Sequence, residues 1–260
     1  MTGQELSRSL AASDLSELVR RIRGRTPARL LVGRAGAAYR TGTQMELREA
    51  HAAARDAVRA ELDLQGTLGT AFVDQWNLFE VSTRAGGKDE YLLRPDLGRR
   101  FSDAAQAELA GRCSRGNDLQ IAIGDGLSVP AVAAQVPLLL PRIYEGAKAR
   151  GWRVGQTFVI RHCRVGILNP MGELLAPRVA VLLIGERPGL ATVESLSVYM
   201  AYHPRASHSD ADRNLVSNIH ARGVDPEEAA RRILNLAAQM MRVGSSGCNG
   251  LPALDLGSDC

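Results

Sequence analysis

The sequence predicts an α/β protein, a Rossmann-like layered domain preceded by a mostly helical region. Three patterns carry that reading. Apolar residues recur at helical spacing early in the chain, short apolar runs bounded by Gly or Pro begin near residue 117, and a long amphipathic stretch closes the pattern. Strands alternating with helices imply a partly parallel sheet. The expected division is a helical N-terminal region over 1–100, an arm plus helices, followed by an α/β domain over 101–260.

The elements follow in chain order. Leu10, Leu15, Leu18, Val19 and Ile22 form a modest apolar stripe, ahead of a basic cluster at Arg20, Arg21, Arg23 and Arg25 and then Pro27; this reads as an arm or a docking helix. Thr43 and Glu46 have capping-box spacing. Leu47, Ala50, Ala54, Val58 and Leu62 then mark one helical face, with Gly66 beyond its end. A short helix is expected from Ser102 or Asp103 to Gly111. Leu119–Ile123 reads as a strand that stops at Gly124, and Ser128 is placed to cap a helix with Pro130 in its first turn. Thr157–Ile160 and Arg164–Leu168 are further strand candidates. Arg178–Ile184, apolar after its first residue, suits a central strand covered on both faces. Asp225 followed by Pro226 opens the last helix, whose buried face is Ala230, Ile233, Leu234, Ala237 and Met241, with Gly244 as its stop.

Composition bounds the function. At 45% hydrophobic and 23% charged, the 260 residues suit a globular protein. No run of about 18 apolar residues occurs, so no membrane span is expected. The net charge of +4 invites nucleic acid, yet only Lys88 and Lys148 among the 32 basic residues are lysines, the arginines are dispersed, and aromatics are 4%. No nucleic-acid partner is expected. Cys113, Cys163, Cys248 and Cys260 form no Cys-x-x-Cys pair, which argues against structural zinc. The N-terminus lacks the basic-then-apolar order of a secretory signal, so a cytoplasmic protein with reduced thiols is expected.

Four places could carry chemistry. The loop Gly124-Asp-Gly-Leu-Ser128 leaves a strand and enters a helix, where ligands gather in open α/β sheets; it is no Walker or dinucleotide motif, and a plain turn with Ser128 as cap is the alternative. Gly185-Glu-Arg-Pro-Gly189 follows the strongest strand and offers either Glu186 in a cleft or a solvated turn with a Glu–Arg surface pair. His162 and Cys163 suggest metal or nucleophile chemistry, but neighbours on a strand face opposite ways. Asn218 and His220 either fix a loop or contact a ligand. No catalytic set and no metal site emerges.

The motifs quoted so far, with Arg161-His-Cys-Arg-Val-Gly-Ile-Leu-Asn169, Val181-Leu-Leu-Ile-Gly-Glu-Arg-Pro-Gly-Leu190, Glu194-Ser-Leu-Ser197, Ser217-Asn-Ile-His220, Pro27-Ala-Arg-Leu-Leu-Val-Gly-Arg-Ala-Gly36, Tyr39-Arg-Thr-Gly42 and Arg94-Pro-Asp-Leu-Gly98, resemble the small (light) subunit of ethanolamine ammonia-lyase in order from about residue 25 to 240. The resemblance implies a hetero-oligomer in which a TIM-barrel large subunit supplies the catalytic residues and adenosylcobalamin supplies radical chemistry at the subunit interface. Cobalamin contacts are implied at Val165, Glu186 and Leu215. Leu215 stands where some relatives carry cysteine, so its contact would be backbone or van der Waals in character. Glu186 would accept from an amide or hydroxyl of the corrinoid, and its loss is expected to weaken cofactor affinity with folding nearly intact. No Asp-x-His-x-x-Gly motif is present, which suits a base-on cofactor. Relatives with longer N-termini can enter a bacterial microcompartment; for the short arm here, a frayed tail or docking helix is the alternative. The competing functions are a stand-alone nucleotide-binding α/β enzyme and a non-enzymatic adaptor.

Overall fold

The computed structural model describes residues 17–26 and 28–248. Leu10, Leu15, Pro27 and Cys260 lie outside them. The chain divides into two compact units, Met1–Arg55 with Gly189–Thr192, and Asp56–Pro188 with Val193–Cys260.

In the first unit residues 17–24 are helical. A hairpin of β1 (Arg34–Ala35) and β2 (Ala38–Tyr39) follows, with Gly36 at φ +62° in its two-residue turn, a conformation that costs a residue without Cβ little. Helix α1 (Thr41–Arg59) begins two residues before Thr43, so the capping box expected there is absent. The expected stripe is nevertheless the less exposed side: Leu47, Ala50, Ala54 and Val58 are half-buried. Gly66 does not terminate this helix. It lies within a separate short helix of the second unit, α2 (Leu64–Leu68), which precedes α3 (Thr70–Gln75).

The second unit is built on a six-stranded sheet. Its strands are β3 (Glu80–Ser82), β4 (Leu119–Gly124), β5 (Phe158–Arg161), β6 (Val179–Gly185), β7 (Leu196–Tyr202) and β8 (Asn214–Ile219). They lie in the order β3-β5-β4-β6-β7-β8, parallel through β6 and antiparallel beyond it. The expected layered α/β arrangement with a partly parallel sheet is present. The expected boundary near residue 100 does not follow the sheet, because β3 comes from the region read as helical and pairs with β5.

Every residue of β4 and β6 is buried, as a central strand covered on both faces requires. One face packs on α2, α6 (Val129–Ala149) and α8 (Pro226–Val243) through Leu139, Ile143, Ile233 and Ala237. The other packs on α5 (Asp103–Arg112) and α7 (Leu168–Leu175) through Leu109, Met171 and Leu175. Caps fall where the sequence placed them. Ser102 accepts from Ala105 N, Ser128 from Ala131 N, and Asp225 from Glu227 N and Glu228 N, while Gly244 ends α8 at φ +74°. Helix α6 continues through Pro137 and Pro141, both at half-buried positions beside its solvent-facing stripe. Of the expected α8 face, Met241 is only partly buried and Met240 takes the core position.

Arg164–Leu168 is not a strand. Val165–Ile167 is a 3₁₀ turn that runs directly into α7, whose first turn accommodates Pro170. Three apolar residues are too few for periodicity to separate the two forms.

Candidate functional site

The connection leaving β4 runs to β5 on one side and the connection leaving the adjacent β6 runs to β7 on the other, so the two diverge at the carboxyl ends of β4 and β6. A crevice at such a point is where open α/β sheets collect ligands. Here a cavity of about 170 Å³ opens over the ends of β4, β5 and β6. Its walls come from the loops after all three strands, including Gly126, Val165 and Glu186, and from Tyr199 on β7.

The loop after β4 is held by a buried carboxylate. Asp125 is fully buried and accepts from His162 N at 2.9 Å, Cys163 N at 2.8 Å and Lys88 Nζ at 3.3 Å. Lys88 lies in α4 (Lys88–Leu93) and is itself only 8% exposed. A buried charge is tolerated when it is paired and its remaining lone pairs are used, as here. The Tyr91 hydroxyl lies 2.8 Å from Gly126 O and 3.0 Å from Cys163 O, so its one hydrogen bridges the same two loops. Burial, with the Asp125 charge nearby, pushes the Tyr91 phenol far above its ordinary range. Gly126 sits at φ +57°, and a Cβ there would lie 2.3 Å from Gly185 O, so the β4 and β6 loops touch through backbone.

Val165 opens the 3₁₀ turn and is half-buried. The preceding Arg164 lays its guanidinium over the Tyr91 ring at 4.2 Å and donates to Tyr91 O at 3.3 Å. Val165 is thus carried on a loop clamped from the Asp125 and Tyr91 sides.

Glu186 follows β6 and is not a solvated turn residue paired with Arg187. Its carboxylate accepts from Ser195 Oγ at 2.6 Å, Ser197 Oγ, and Asn218 N at 3.0 Å. Burial pushes its pKa up, but these three donors outweigh it and hold the carboxyl below the usual carboxylate value. The Asn218 N–H is available because β8 is irregular there, with Asn218 at φ +61° between the Leu196 and Val198 pairings. His220 Nδ1 accepts from Arg222 N, which leaves Nε2–H to donate to Asn218 Oδ1 at 2.8 Å. Asn218 and His220 therefore fix this loop.

Leu215 does not line the cavity. It pairs across the ladder with Tyr199, which does, and cross-strand partners share a sheet face. Leu215 is 47% exposed, and Ser217 on the same strand is exposed too. Helix α8 covers the opposite face of β7 and β8. The site is thus a small cavity, walled by Val165 and Glu186, continuing onto an open sheet face that carries Tyr199 and Leu215.

The His162–Cys163 pair is held in place by its neighbours. Both residues lie past β5, with His162 at φ +56°. The His162 ring sits between Ala85 O and Glu61, at 3.2 and 3.0 Å. The Cys163 thiol is fully buried, and desolvation, with Asp125 adding to it, raises its pKa well above a free thiol. Among the described residues no cluster of three or more His, Cys, Asp or Glu could hold a metal ion. Sequence reasoning missed Lys88, Tyr91 and Tyr199. The first had a signal, being one of two lysines in an arginine-rich chain.

The fold defines a layered α/β chain built on a six-stranded mixed sheet, with a small cavity at its strand ends. Residues 16–249 match the family model described as ethanolamine ammonia-lyase light chain (EutC). The chain belongs to that family. It is 41% identical over 226 residues to the ethanolamine ammonia-lyase small subunit of Clostridium perfringens, covering 87% of this chain and 75% of the relative. It is 39% identical over 234 residues to that of Clostridium acetobutylicum (90% and 93%), and 39% over 222 residues to that of Listeria monocytogenes (85% and 74%).

Proposed function

We propose that this chain is the small subunit of an adenosylcobalamin-dependent ethanolamine ammonia-lyase, joined to a catalytic large subunit in a hetero-oligomer. The reaction is conversion of ethanolamine to acetaldehyde and ammonia. The observation that carries the reading is the meeting of Val165 and Glu186, from loops 21 residues apart in sequence, on one cavity wall, with Leu215 cross-strand from Tyr199 beside them.

The residues fit such a cofactor in a limited way. A carboxylate has about four acceptor positions, and Glu186 has three donors, so one remains for an amide or hydroxyl. A cavity of about 170 Å³ is smaller than the roughly 300–1,000 Å³ that enclose a drug-sized ligand. It suits a peripheral group of a large ligand whose body lies over the Tyr199–Leu215 face and is covered from the other side by a second chain.

Adenosylcobalamin, when bound, supplies homolytic radical chemistry. This chain's residues bind and shield. Glu186 accepts a hydrogen bond at the ligand's edge, Val165 and Leu215 give apolar contact that keeps water away, and Asp125, Lys88 and Tyr91 keep the Val165 loop in place. The reading places the complex in the cytoplasm. No helix among the described residues is long and apolar enough to cross a membrane. Residence in a microcompartment would rest on the N-terminal stripe.

The test is reconstitution. The chain alone, the large subunit alone and the two together are assayed for ethanolamine deamination with adenosylcobalamin. Turnover is expected only from the mixture. Turnover by the isolated chain, or full turnover by the large subunit alone, would overturn the reading.

A further inference from the structure

A cavity of about 720 Å³ in the second unit lies beside the site just described. It is bounded by the 3₁₀ turn Leu97–Arg99, the start of α7 and the segment 206–213. Four arginines line it, Arg84, Arg99, Arg100 and Arg213, against the carboxylates of Asp96, Glu173 and Asp210.

The carboxylates are committed. Asp96 holds Arg94 through two hydrogen bonds at 2.9 and 2.8 Å, Glu173 accepts from Ala206 N at 3.0 Å, and Asp210 pairs with Arg213. Arg84 is matched by Asp103 at 3.3 Å. Among the described residues Arg99 and Arg100 make no direct ion pair with a carboxylate, although the Arg100 charge acts favourably on Asp96. Two buried nitrogens lack any partner as well, Arg213 Nε and His208 Nδ1. The Arg213 side chain is only 5% exposed; burial disfavours its charge most, the Asp210 carboxylate offsets part of that, and the charge of Arg99 adds to the cost. Crowding cations around a hollow costs free energy, and an anion in the hollow relieves it.

The geometry points to a phosphate-ester site, in which Arg99 and Arg100 engage one phosphate group and the buried Arg213 adds its charge at the cavity wall. Donors arriving from several elements match a tetrahedral anion with several acceptor oxygens, and guanidinium is the side chain suited to it. The volume exceeds what inorganic phosphate fills and lies in the range of small-molecule sites. The cavity also abuts the first site: Gly166 borders it, and a Cβ there would lie 2.8 Å from Arg99 Cγ, so the Arg99 stem packs directly on the turn that carries Val165.

Two sources supply this chemistry. One is a free phosphate monoester. The other, which rests on the proposed function, is the phosphodiester in the nucleotide tail of cobalamin.

The test uses the two-subunit complex, wild type and with R99Q or R100Q. Inorganic phosphate, glycerol 3-phosphate, cobalamin and cobinamide (the corrin without its phosphate-bearing tail) are titrated calorimetrically. Each variant is expected to bind phosphate probes about tenfold more weakly, with unchanged circular dichroism and melting temperature. A parallel loss for cobalamin but not cobinamide assigns the phosphate to the cofactor tail; an unchanged cobalamin affinity assigns it to a free ester. Variants that bind every probe as the wild type does overturn the inference, as does a wild type with no phosphate affinity and a cobalamin affinity the variants leave intact. A wild-type complex that binds no cobalamin refutes the proposed function, and the glycerol 3-phosphate titration still decides the present inference.

Discussion

Replacing Glu186 with alanine removes the acceptor for three donors at once, Ser195 Oγ, Ser197 Oγ and Asn218 N. A hydrogen bond to a charged group contributes about 1.5–3 kcal/mol net. Glu186 is half-buried, and water can reach part of the space it leaves, so the three together are worth about 3 kcal/mol rather than their sum. For a chain of this size that lowers the melting temperature by about 6–12 °C. This corrects the expectation from sequence that the change would leave folding nearly intact. Glu186→Gln keeps one acceptor oxygen, and a serine hydroxyl can turn to accept from the new amide, so about 1 kcal/mol is expected there. The pH dependence has a definite sign. The folded-state pKa lies below the ordinary 4.5, so the carboxylate's contribution is complete above that value and is lost as pH falls through the folded pKa. The gap in melting temperature between wild type and Glu186→Gln should therefore be constant from pH 7 to 6 and narrow below about pH 4.5. Thermal unfolding followed by circular dichroism measures both effects. An alanine variant that melts with the wild type, or a gap that widens in acid, would refute the assignment of Glu186 as an ionised clamp between β6 and β8.

Lys88→Ala leaves the buried Asp125 carboxylate without its cation and is expected to cost about 3 kcal/mol in urea unfolding; a loss under about 1 kcal/mol would show the pair to be dispensable. Gly126→Ala forces a Cβ to within 2.3 Å of Gly185 O at a positive φ, so it should destabilise the chain and lower cobalamin affinity in the complex, both read from one set of purified variants. Native alkylation at pH 8 followed by peptide mass spectrometry should label the exposed Cys248 and spare Cys113 and Cys163, until urea is added. Burial pushes the Cys113 thiol up to about 11 and the Cys163 thiol well above its ordinary value; fast native labelling of Cys163 would contradict its place in the core.

What the sequence made legible follows from the strength of local signals. Ser128 with Pro130, and Asp225 with Pro226, place helix starts because a side-chain cap and a proline in the first turn act within a few residues. The run Val179–Gly185 could be read as central because a strand buried on both faces must be apolar throughout. Strand β7 did carry a signal, since Leu196, Val198 and Met200 alternate onto the core face. Strand β8 carried little, being an edge strand whose Asn214, Ser217 and Asn218 are half-buried or exposed. Glu186 was found because it follows a strong strand, yet its partners were not, since Ser195, Ser197 and Asn218 reach it only through pairings made by tertiary structure. Asp125 was legible as a loop residue, but its work as the acceptor for His162 N and Cys163 N depends on β4 and β5 lying side by side.

The proposed contact surface for the cofactor is the ends of β5 and β6 with the open face of β7–β8. A structure of the two-subunit complex with cobalamin bound tests it most directly. A peripheral group of the corrinoid is expected to be hydrogen-bonded to Glu186, with Val165 and Leu215 in van der Waals contact with it. A cobalamin enclosed by the large subunit, with all three residues out of contact range, would contradict it.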